Sequence, residues 1–514
     1  MLKKIDWKRP EIITTIVSFV LGIAIHLFGL VNELHNYDDI ANQPIGHGST
    51  VSSGRWSLML FGQAVRLIFG EYNLPWINGL LFILLIAITA GIMISAFDIK
   101  KTSSAILFGL VFVSFPSAAA TLLFTFTVIY DAFAILLSTL AVWLTRKYKY
   151  GFIPAAFCIA FSMGIYQAYV PLTISMFVLL LIKQLLQEDV KAARIIWRGL
   201  CDCGTIILGL LLYFLFLKFF LVVLHITLDT YQGISDMGKI SLAQMPSLIW
   251  TAFRGFCTFP FTGYASIAQT AVLKTAYVVL CPVSLLILIC IAFLKKKKTS
   301  QIILLAALCF TLPIAINFIA VMCPDSTIYT LMVYAFALVP CVPLILLETF
   351  PKAKDCTKKL QQILTTVSAA VVVMIILSNA YMANANYSSA YYATRQTENY
   401  LTSLVTQVRM TEGFTPEKKW VALGKINDPL LHGPWDDVPI YGGNADSIKL
   451  LREYSWQNWI SMYYGYALPW AEDSEVALLN NNEAVRDMPV WPSEGSIKVV
   501  DDYVVIKFET LPNS

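Results

Sequence analysis

Hydrophobic positions along the chain come in long blocks, separated by short polar segments that carry most of the charge. The blocks are about 20 residues long, which is the length of helix that crosses a hydrocarbon core of about 30 Å. The pattern therefore predicts an α-helical polytopic membrane protein. Its eleven expected transmembrane helices lie at residues 12–31, 76–97, 105–123, 127–145, 151–168, 169–187, 200–224, 270–294, 301–322, 329–348 and 361–382.

Composition strengthens this prediction, because 57% of the residues are hydrophobic and only 14% are charged. A soluble globular domain has about 25% charged residues, so a soluble enzyme is excluded. The basic residues sit in short clusters between apolar blocks, where membrane topology explains them better than nucleic-acid binding does. The ten cysteines fall mostly inside apolar blocks, and their spacing predicts neither a disulfide framework nor a metal site.

Lysine and arginine divide the loops into two sets. The segments on one side of the predicted spans hold 21 basic residues, and the short loops on the other side hold four. The rich segments are 3–9, 100–101, 146–149, 183–198, 295–298 and 352–359, and the four others are Arg55, Arg66, Lys239 and Arg254. Because positively charged loops stay in the cytoplasm, the bias predicts a cytoplasmic N-terminus. An odd number of spans then places the C-terminal tail outside the cell membrane.

The tail after the last span has a different composition. Residues 1–383 carry a net charge of +11, and residues 384–514 carry −7. Strand signals occur at 419–426 and at 497–508, where a hairpin is expected to turn at Asp501-Asp502, and 446–466 has a helical pattern. The sequence thus predicts a transmembrane domain at 1–383 and a small extracytoplasmic α/β domain at 384–514. The six tryptophans of the tail are expected mostly in its core.

The loop after the first span holds the richest chemistry. Asp38 and Asp39 are adjacent carboxylates just outside the membrane, and one of them could act as a general base while the other orients it. Arg55 offers a planar, two-point grip for a phosphate. The alternatives are a solvated loop with a turn at the two aspartates, or a divalent metal that His35 holds together with them. The apolar segment 57–69 is too short to span and is expected to lie in the outer interface.

Further polar groups are expected at the same outer surface. Asp131 lies at the start of the fourth span. An acidic residue there could simply stabilise the helix through a favourable interaction with its dipole. Tyr166 and Gln167 mark the turn between the fifth and sixth spans, where aromatic residues are usually interfacial belt residues. Lys218 lies six residues inside its span, where it either snorkels to the interface or meets a lipid phosphate. Arg254 lies in the long loop 225–269.

Three short stretches carry a resemblance to a known family. Residues 37–39 (Tyr-Asp-Asp) with 53–56 (Ser-Gly-Arg-Trp), residues 162–169 (Ser-Met-Gly-Ile-Tyr-Gln-Ala-Tyr) and the pair Tyr130-Asp131 resemble the glucosyltransferase type II family of bacterial envelope enzymes. The likeness extends over roughly residues 10–390, and the tail is similar only in its position.

The resemblance implies a GT-C type membrane glycosyltransferase with a catalytic transmembrane domain. Such an enzyme takes a sugar, here glucose or a related hexose, from a polyprenyl-phosphate carrier and passes it to a cell-surface glycan on the outer face of the membrane. It implies that Asp38 and Asp39 carry the base role, that Arg55 holds the phosphate, and that Asp131 and Gln167 contact the sugar or the acceptor. The expected partners are this donor, the glycan and membrane lipid, with no nucleic acid, cofactor or metal. The residues expected to bind substrate are Arg55, Trp56, Asp131, Tyr166, Gln167, Lys218 and Arg254.

The residue chemistry agrees with such a reaction. A polyprenyl phosphate is already a competent leaving group, so one carboxylate for the acceptor hydroxyl and one cation for the phosphate suffice. A glycosidase needs two carboxyl groups with divided roles. The main rival function is a transporter or flippase of lipid-linked sugars, which would favour ionisable residues in the middle of its spans. A second rival is an inactive membrane part with an acceptor-binding tail.

Overall fold

The structure is a computed structural model of the full chain. It describes residues 8–34, 36–42, 46, 48, 50–70, 73–187, 190–229, 241, 243–324, 326–351, 355–428, 441, 450–451, 455–465 and 468–510. In the described part of the chain, sixteen helices begin before residue 384, and the last of them continues into the tail: α1 Pro10–Val31, α2 Tyr37–Ala41, α3 Trp56–Phe69, α4 Pro75–Ala96, α5 Thr102–Ser114, α6 Pro116–Leu122, α7 Val128–Lys147, α8 Phe152–Ile165, α9 Val170–Leu186, α10 Ala192–Val223, α11 Met245–Thr262, α12 Ala271–Leu294, α13 Thr299–Ile316, α14 Ile319–Met322, α15 Val342–Leu347 and α16 Asp355–Met410. Short 3-10 segments cover Val51–Ser53, Gln167–Tyr169, Tyr264–Ser266 and Thr330–Cys341.

Nine helical segments within the described residues are long and apolar enough to cross a membrane. They include the 3-10 segments that continue into α9 and α15, and α16 is much longer than a membrane-spanning helix needs. A tenth segment is the pair α5 and α6, which bends by 42°. The bend lies at Phe115, whose extended backbone is what the following Pro116 favours. The predicted span at 151–168 corresponds to α8, which has only 14 residues, so the count of eleven spans stays a prediction.

The predicted interfacial segment 57–69 is a helix, α3, and its last turn exposes Leu67, Ile68 and Phe69. Such an exposed apolar end fits a helix that lies against lipid. The long helices pack on one another through small residues as well as large ones. A side chain built at Gly109 of α5 would approach the Ser18 hydroxyl of α1 to 2.2 Å, so glycine is what lets these two helices come close.

The chain divides into two compact units. The first comprises residues 1–31, 46–385 and 439–443 and contains the long helices up to the middle of α16. The second comprises residues 32–45, 386–438 and 444–514. The segment 32–45, which was expected to be a loop of the transmembrane domain, therefore belongs to the same unit as the tail.

A three-stranded sheet lies in the second unit, with strands β1 Lys419–Leu423, β2 Ile497–Val500 and β3 Tyr503–Lys507 in the order β1-β3-β2. β3 pairs with β1 in parallel and with β2 in antiparallel fashion. The expected strand at 419–426 and the expected hairpin at 497–508 are both confirmed. The hairpin turns at Asp501, whose positive φ of 52° is one that aspartate tolerates better than most residues.

Three further helices belong to the tail: α17 Trp456–Tyr463, α18 Asp473–Asn480 and α19 Glu483–Arg486. Only α17 corresponds to the helix predicted at 446–466, much of which lies outside the described residues. Four tail tryptophans are buried in one core, and Trp470 packs against that core, as expected, whereas Trp435 lies outside the described residues. The buried four are Trp420, Trp456, Trp459 and Trp491.

Candidate active site

Arg55 stands at the end of a tightly held turn in the first unit. The turn runs from Thr50 through the 3-10 segment Val51–Ser53 and reverses at Gly54, whose φ of 74° favours glycine. The Arg55 amide nitrogen then donates to the Thr50 carbonyl oxygen at 2.7 Å. This hydrogen bond fixes the backbone from which the guanidinium extends, just before α3 begins.

Two buried polar side chains hold the same turn from other helices. Gln167 Nε2 donates to the Ser53 carbonyl oxygen at 3.2 Å and to the Tyr213 hydroxyl at 3.0 Å. The Tyr213 hydroxyl in turn donates to the Gly54 carbonyl oxygen at 3.1 Å. Buried polar groups are costly unless they are hydrogen-bonded, so this chain of bonds ties the turn to α10 and to the 3-10 segment Gln167–Tyr169.

The guanidinium of Arg55 lies over an aromatic ring. Its carbon is 4.8 Å from the centre of the Tyr166 ring, which in turn packs edge-on against Tyr169 with ring centres 5.5 Å apart. The Arg55 Nε is buried, and among the described residues it has no hydrogen-bond partner. A guanidinium fixed on an aromatic face, with a donor left over, is suited to bind an anion such as a phosphate.

Asp131 supplies a carboxylate close to this guanidinium. It lies in the first turn of α7 with only 7% of its surface exposed, and the hydroxyl groups of Thr127 and Tyr169 approach it. Arg55 is near enough to interact with it electrostatically. The structure therefore brings together four of the predicted substrate-binding residues, namely Arg55, Asp131, Tyr166 and Gln167.

Trp56, also predicted to bind substrate, is completely buried. Its ring packs against Phe161, Phe216 and Phe220, with centres 4.9 to 5.8 Å away. In this position Trp56 anchors the first turn of α3, so its contribution to Arg55 is to hold the neighbouring backbone in place.

Lys218 and Arg254 lie elsewhere. Both side chains are exposed, Lys218 on α10 beside the exposed Leu215 and Phe219, and Arg254 on α11. Among the described contacts, neither reaches Arg55, Asp131 or Tyr166. Their substrate-binding role stays a prediction without support from this cluster.

Asp38 and Asp39, the predicted base and its partner, lie in the second unit. They form the first turn of α2, where the Asn36 side-chain oxygen accepts a hydrogen bond from the Asp38 amide at 2.9 Å and caps the helix. Asp39 is fully buried, whereas Asp38 is only partly buried. Of the two predicted residues, Asp38 is therefore the one whose carboxylate is more accessible.

Helix α2 packs on the tail. Ile40 is fully buried in the core that contains Trp459 and Leu401, and α2 contacts α17. Tyr463 of α17 is half-buried, and burial raises the pKa of its hydroxyl, with Glu33, Glu398 and Asp39 adding to the rise by their negative charge. The second unit thus collects an acidic group of side chains around the segment that bears the two aspartates.

No group of three metal-ligating side chains occurs among the residues that the structure describes. His35, which the metal alternative requires, lies outside the described residues. Two contributors to the Arg55 cluster were not predicted at all, Thr127 and Tyr213. A lone tyrosine hydroxyl inside the apolar block 200–224 was the available signal for Tyr213, because a buried hydroxyl needs a partner.

These features define a helical protein with membrane-length spans that holds an arginine and a carboxylate together where its helices begin. Residues 27–340 match the family model described as Glucosyl transferase GtrII, which covers more than half of the chain. The chain therefore belongs to the GtrII glucosyl transferase family, and the resemblance seen in its short motifs is confirmed. No curated protein and no solved structure matches it. The matched range contains every predicted site residue, and membership supports a glycosyltransferase function.

The packing of α2 on the tail leads to a first prediction. Replacing Ile40 by Ala removes a fully buried side chain, which costs about 2–5 kcal/mol where it is well packed. We expect the segment with Asp38 to loosen and sugar transfer to fall, while binding of the sugar donor, measured separately, stays unchanged.

The matched control for Ile40→Ala is Val485→Ala, because Val485 is buried in a different core of the same unit. It should lower the thermal transition without lowering transfer. Equal loss of transfer in both variants would show that Ile40 acts only through overall stability.

Proposed function

We propose that this protein is a GT-C type glycosyltransferase that moves a hexose from a polyprenyl-phosphate carrier to a cell-surface glycan. The observation that carries the proposal is the Arg55 cluster, in which a guanidinium with an unused donor lies on Tyr166 and near Asp131. It stands inside the range that matches a glucosyl transferase family, and a donor with a lipid tail explains why the enzyme is mostly membrane helix.

The proposed reaction needs two kinds of group. Arg55 holds the phosphate, and its positive charge stabilises the negative charge that develops on the leaving polyprenyl phosphate as the glycosidic bond breaks. A carboxylate takes the proton of the acceptor hydroxyl as its oxygen bonds to the sugar carbon. We assign the base role to Asp38, with Asp39 as its orienting partner, and contacts to the sugar or acceptor to Asp131 and Gln167.

The tail has a supporting role in this proposal. Its core holds Ile40 of the segment 32–45. Acidic and aromatic residues such as Glu398 and Tyr464 are partly exposed, and the Tyr464 hydroxyl donates a 3.0 Å hydrogen bond to the backbone carbonyl oxygen of Glu398. We propose that the tail positions the base and receives the glycan acceptor. It would not contact the lipid.

The proposed orientation places the N-terminus in the cytoplasm and the second unit outside the cell. It follows from the bias of 21 basic residues against four across the predicted spans. Ser403 and Ser300 are exposed and fall on opposite sides in this topology.

Labelling of introduced cysteines checks this orientation. Ser403→Cys should react with a membrane-impermeant thiol reagent on intact cells, and Ser300→Cys only after lysis. Identifying the labelled peptide by mass spectrometry separates the introduced thiols from native ones. The reverse pattern would place the segment with Asp38 in the cytoplasm, where it has no access to the proposed acceptor, a cell-surface glycan.

The experiment that tests the proposed function in cells compares envelope glycans. Mass spectrometry of these glycans should show a hexose substituent that disappears when the protein is deleted and returns with the wild-type copy. An identical glycan in both strains would contradict a glycosyltransferase acting on the cell surface.

A further inference from the structure

A second polar site lies at the other end of the helix that begins near Asp131. Arg146 is 15 residues further along α7, which is about 22 Å at 1.5 Å per residue. There a cavity of about 640 Å³ opens between the end of α7, the start of α8 and the first turns of α10. The Arg55 cluster does not include any of its lining residues.

The cavity has an excess of positive charge. Among the described residues that line it are four cations and one carboxylate, which gives a formal net charge of +3: Arg146, Lys149, Arg194, Arg198 and Asp202. Arg146 grips Asp202 with two hydrogen bonds of 2.9 and 2.6 Å, and both side chains are largely buried. This pair neutralises itself, so Lys149, Arg194 and Arg198 are left to attract an anion.

The walls of the cavity are those of a membrane interface. Tyr148, Phe152 and Trp197 line it and are exposed, Trp197 by 68%. Aromatic residues of this kind lie at the level of lipid headgroups. The site therefore combines cations with rings that sit where a lipid phosphate sits.

The floor of the cavity leads onto an apolar stripe. A side chain built at Gly204 would meet nothing within 4 Å, so this position leaves open space. Exposed apolar residues lie on the same face of α10 on either side of Gly204, at intervals of three or four when Gly204 is counted: Leu200 before it, and Ile207, Leu211 and Leu215 after it. An acyl chain could lie along this stripe while its headgroup occupies the cavity.

We propose that this cavity binds the phosphate headgroup of an anionic phospholipid. Basic pockets between transmembrane helices are suited to such headgroups, and the apolar stripe favours a phosphate that carries a lipid tail over a free phosphate ion. The site is independent of the proposed transfer reaction, since it lies at the opposite end of α7.

The first test removes charge from the cavity. The full-length protein is purified with the double change Arg194→Gln and Arg198→Gln, and binding of dioleoyl-phosphatidylglycerol is measured by native mass spectrometry, with dioleoyl-phosphatidylcholine as the zwitterionic lipid. Each basic group near an anionic headgroup adds to the free energy of binding. The loss of two should therefore weaken phosphatidylglycerol binding at least about tenfold. The control is Lys358→Gln with Lys359→Gln, exposed at the start of α16, which loses the same charge outside the cavity.

The second test leaves the charges in place and fills the space. Gly204→Trp should displace phosphatidylglycerol while the thermal transition without lipid is kept, because the new side chain enters open space. Wild-type affinity in both the arginine variant and Gly204→Trp would overturn the proposal. Binding of inorganic phosphate as tight as that of phosphatidylglycerol, or equal loss in the Lys358 and Lys359 control, would overturn it as well.

Discussion

Asp38→Asn should lower sugar transfer by about 10²–10⁴-fold, the range for a positioned general base. The amide keeps the size of the carboxylate but does not accept the proton of the acceptor hydroxyl. The helix cap does not depend on this carboxylate, because it uses the Asp38 amide and the Asn36 side chain. We therefore expect the variant to fold, with a thermal transition like that of the wild type. Transfer from a synthetic polyprenyl-phosphate sugar in detergent is the measurement.

Asp39→Asn should have a smaller effect, because Asp39 is fully buried and orients its neighbour in our proposal. The informative comparison is Asp131→Asn, since Asp131 is the carboxylate that the structure places near Arg55. If both variants in α2 turn over like the wild type and Asp131→Asn is inactive, the base is Asp131 and our assignment is wrong.

Arg55→Lys should weaken binding of the lipid-linked donor by about tenfold to a hundredfold, the range for losing a hydrogen bond to a charged group. Lysine keeps the charge but loses the planar, two-point grip and the flat stacking on Tyr166. Titration with a polyprenyl-phosphate sugar measures the loss, which should appear mainly in KM.

Arg66→Lys is the matched control for Arg55→Lys. Arg66 is exposed on α3, close in sequence but outside the cluster around Tyr166. It should leave donor binding unchanged. A donor affinity unaltered in Arg55→Lys would remove Arg55 from the phosphate site, and equal losses in both variants would show that the loss is not specific to the cluster around Tyr166.

Much of the first unit could be predicted from local pattern. Apolar blocks specify helices directly, and Pro75 and Pro116 at helix starts mark where α4 and α6 begin. The sequence did not predict the break at Phe115 or the short length of α8. A hydropathy profile does not detect such breaks inside a continuous apolar block, because it measures composition and not backbone direction.

The sequence predicted that Arg55, Tyr166 and Asp131 lie on the same side of the membrane, but not that they lie next to one another. The spans before and after each residue indicate which end of the bundle it occupies, but its lateral neighbours depend on how the helices pack. The Gln167 and Tyr213 hydrogen bonds show this, since they join residues 46 positions apart in the chain. Motif likeness pointed to Gln167, whereas the lone hydroxyl of Tyr213 in its apolar block indicates that a partner is needed but not which residue it is.

The placement of segment 32–45 with the tail could not be predicted from sequence. In the sequence, Ile40 is a single apolar residue in a polar loop. In the structure it is buried among residues more than 350 positions later in the chain, such as Leu401. Contacts at this separation leave no periodic signal in either partner. The structure thereby shows that the short helix bearing Asp38 packs on the tail, which composition alone did not indicate.

The central claim is tested most directly by following both products of one reaction. Purified protein in liposomes is given a polyprenyl-phosphate carrier with a labelled hexose, together with glycan isolated from the deletion strain. We predict that label enters the glycan as an equal amount of free polyprenyl phosphate appears, and that Asp38→Asn abolishes both. Movement of the intact lipid-linked sugar across the bilayer, with no label in the glycan, would contradict this account and identify a transporter.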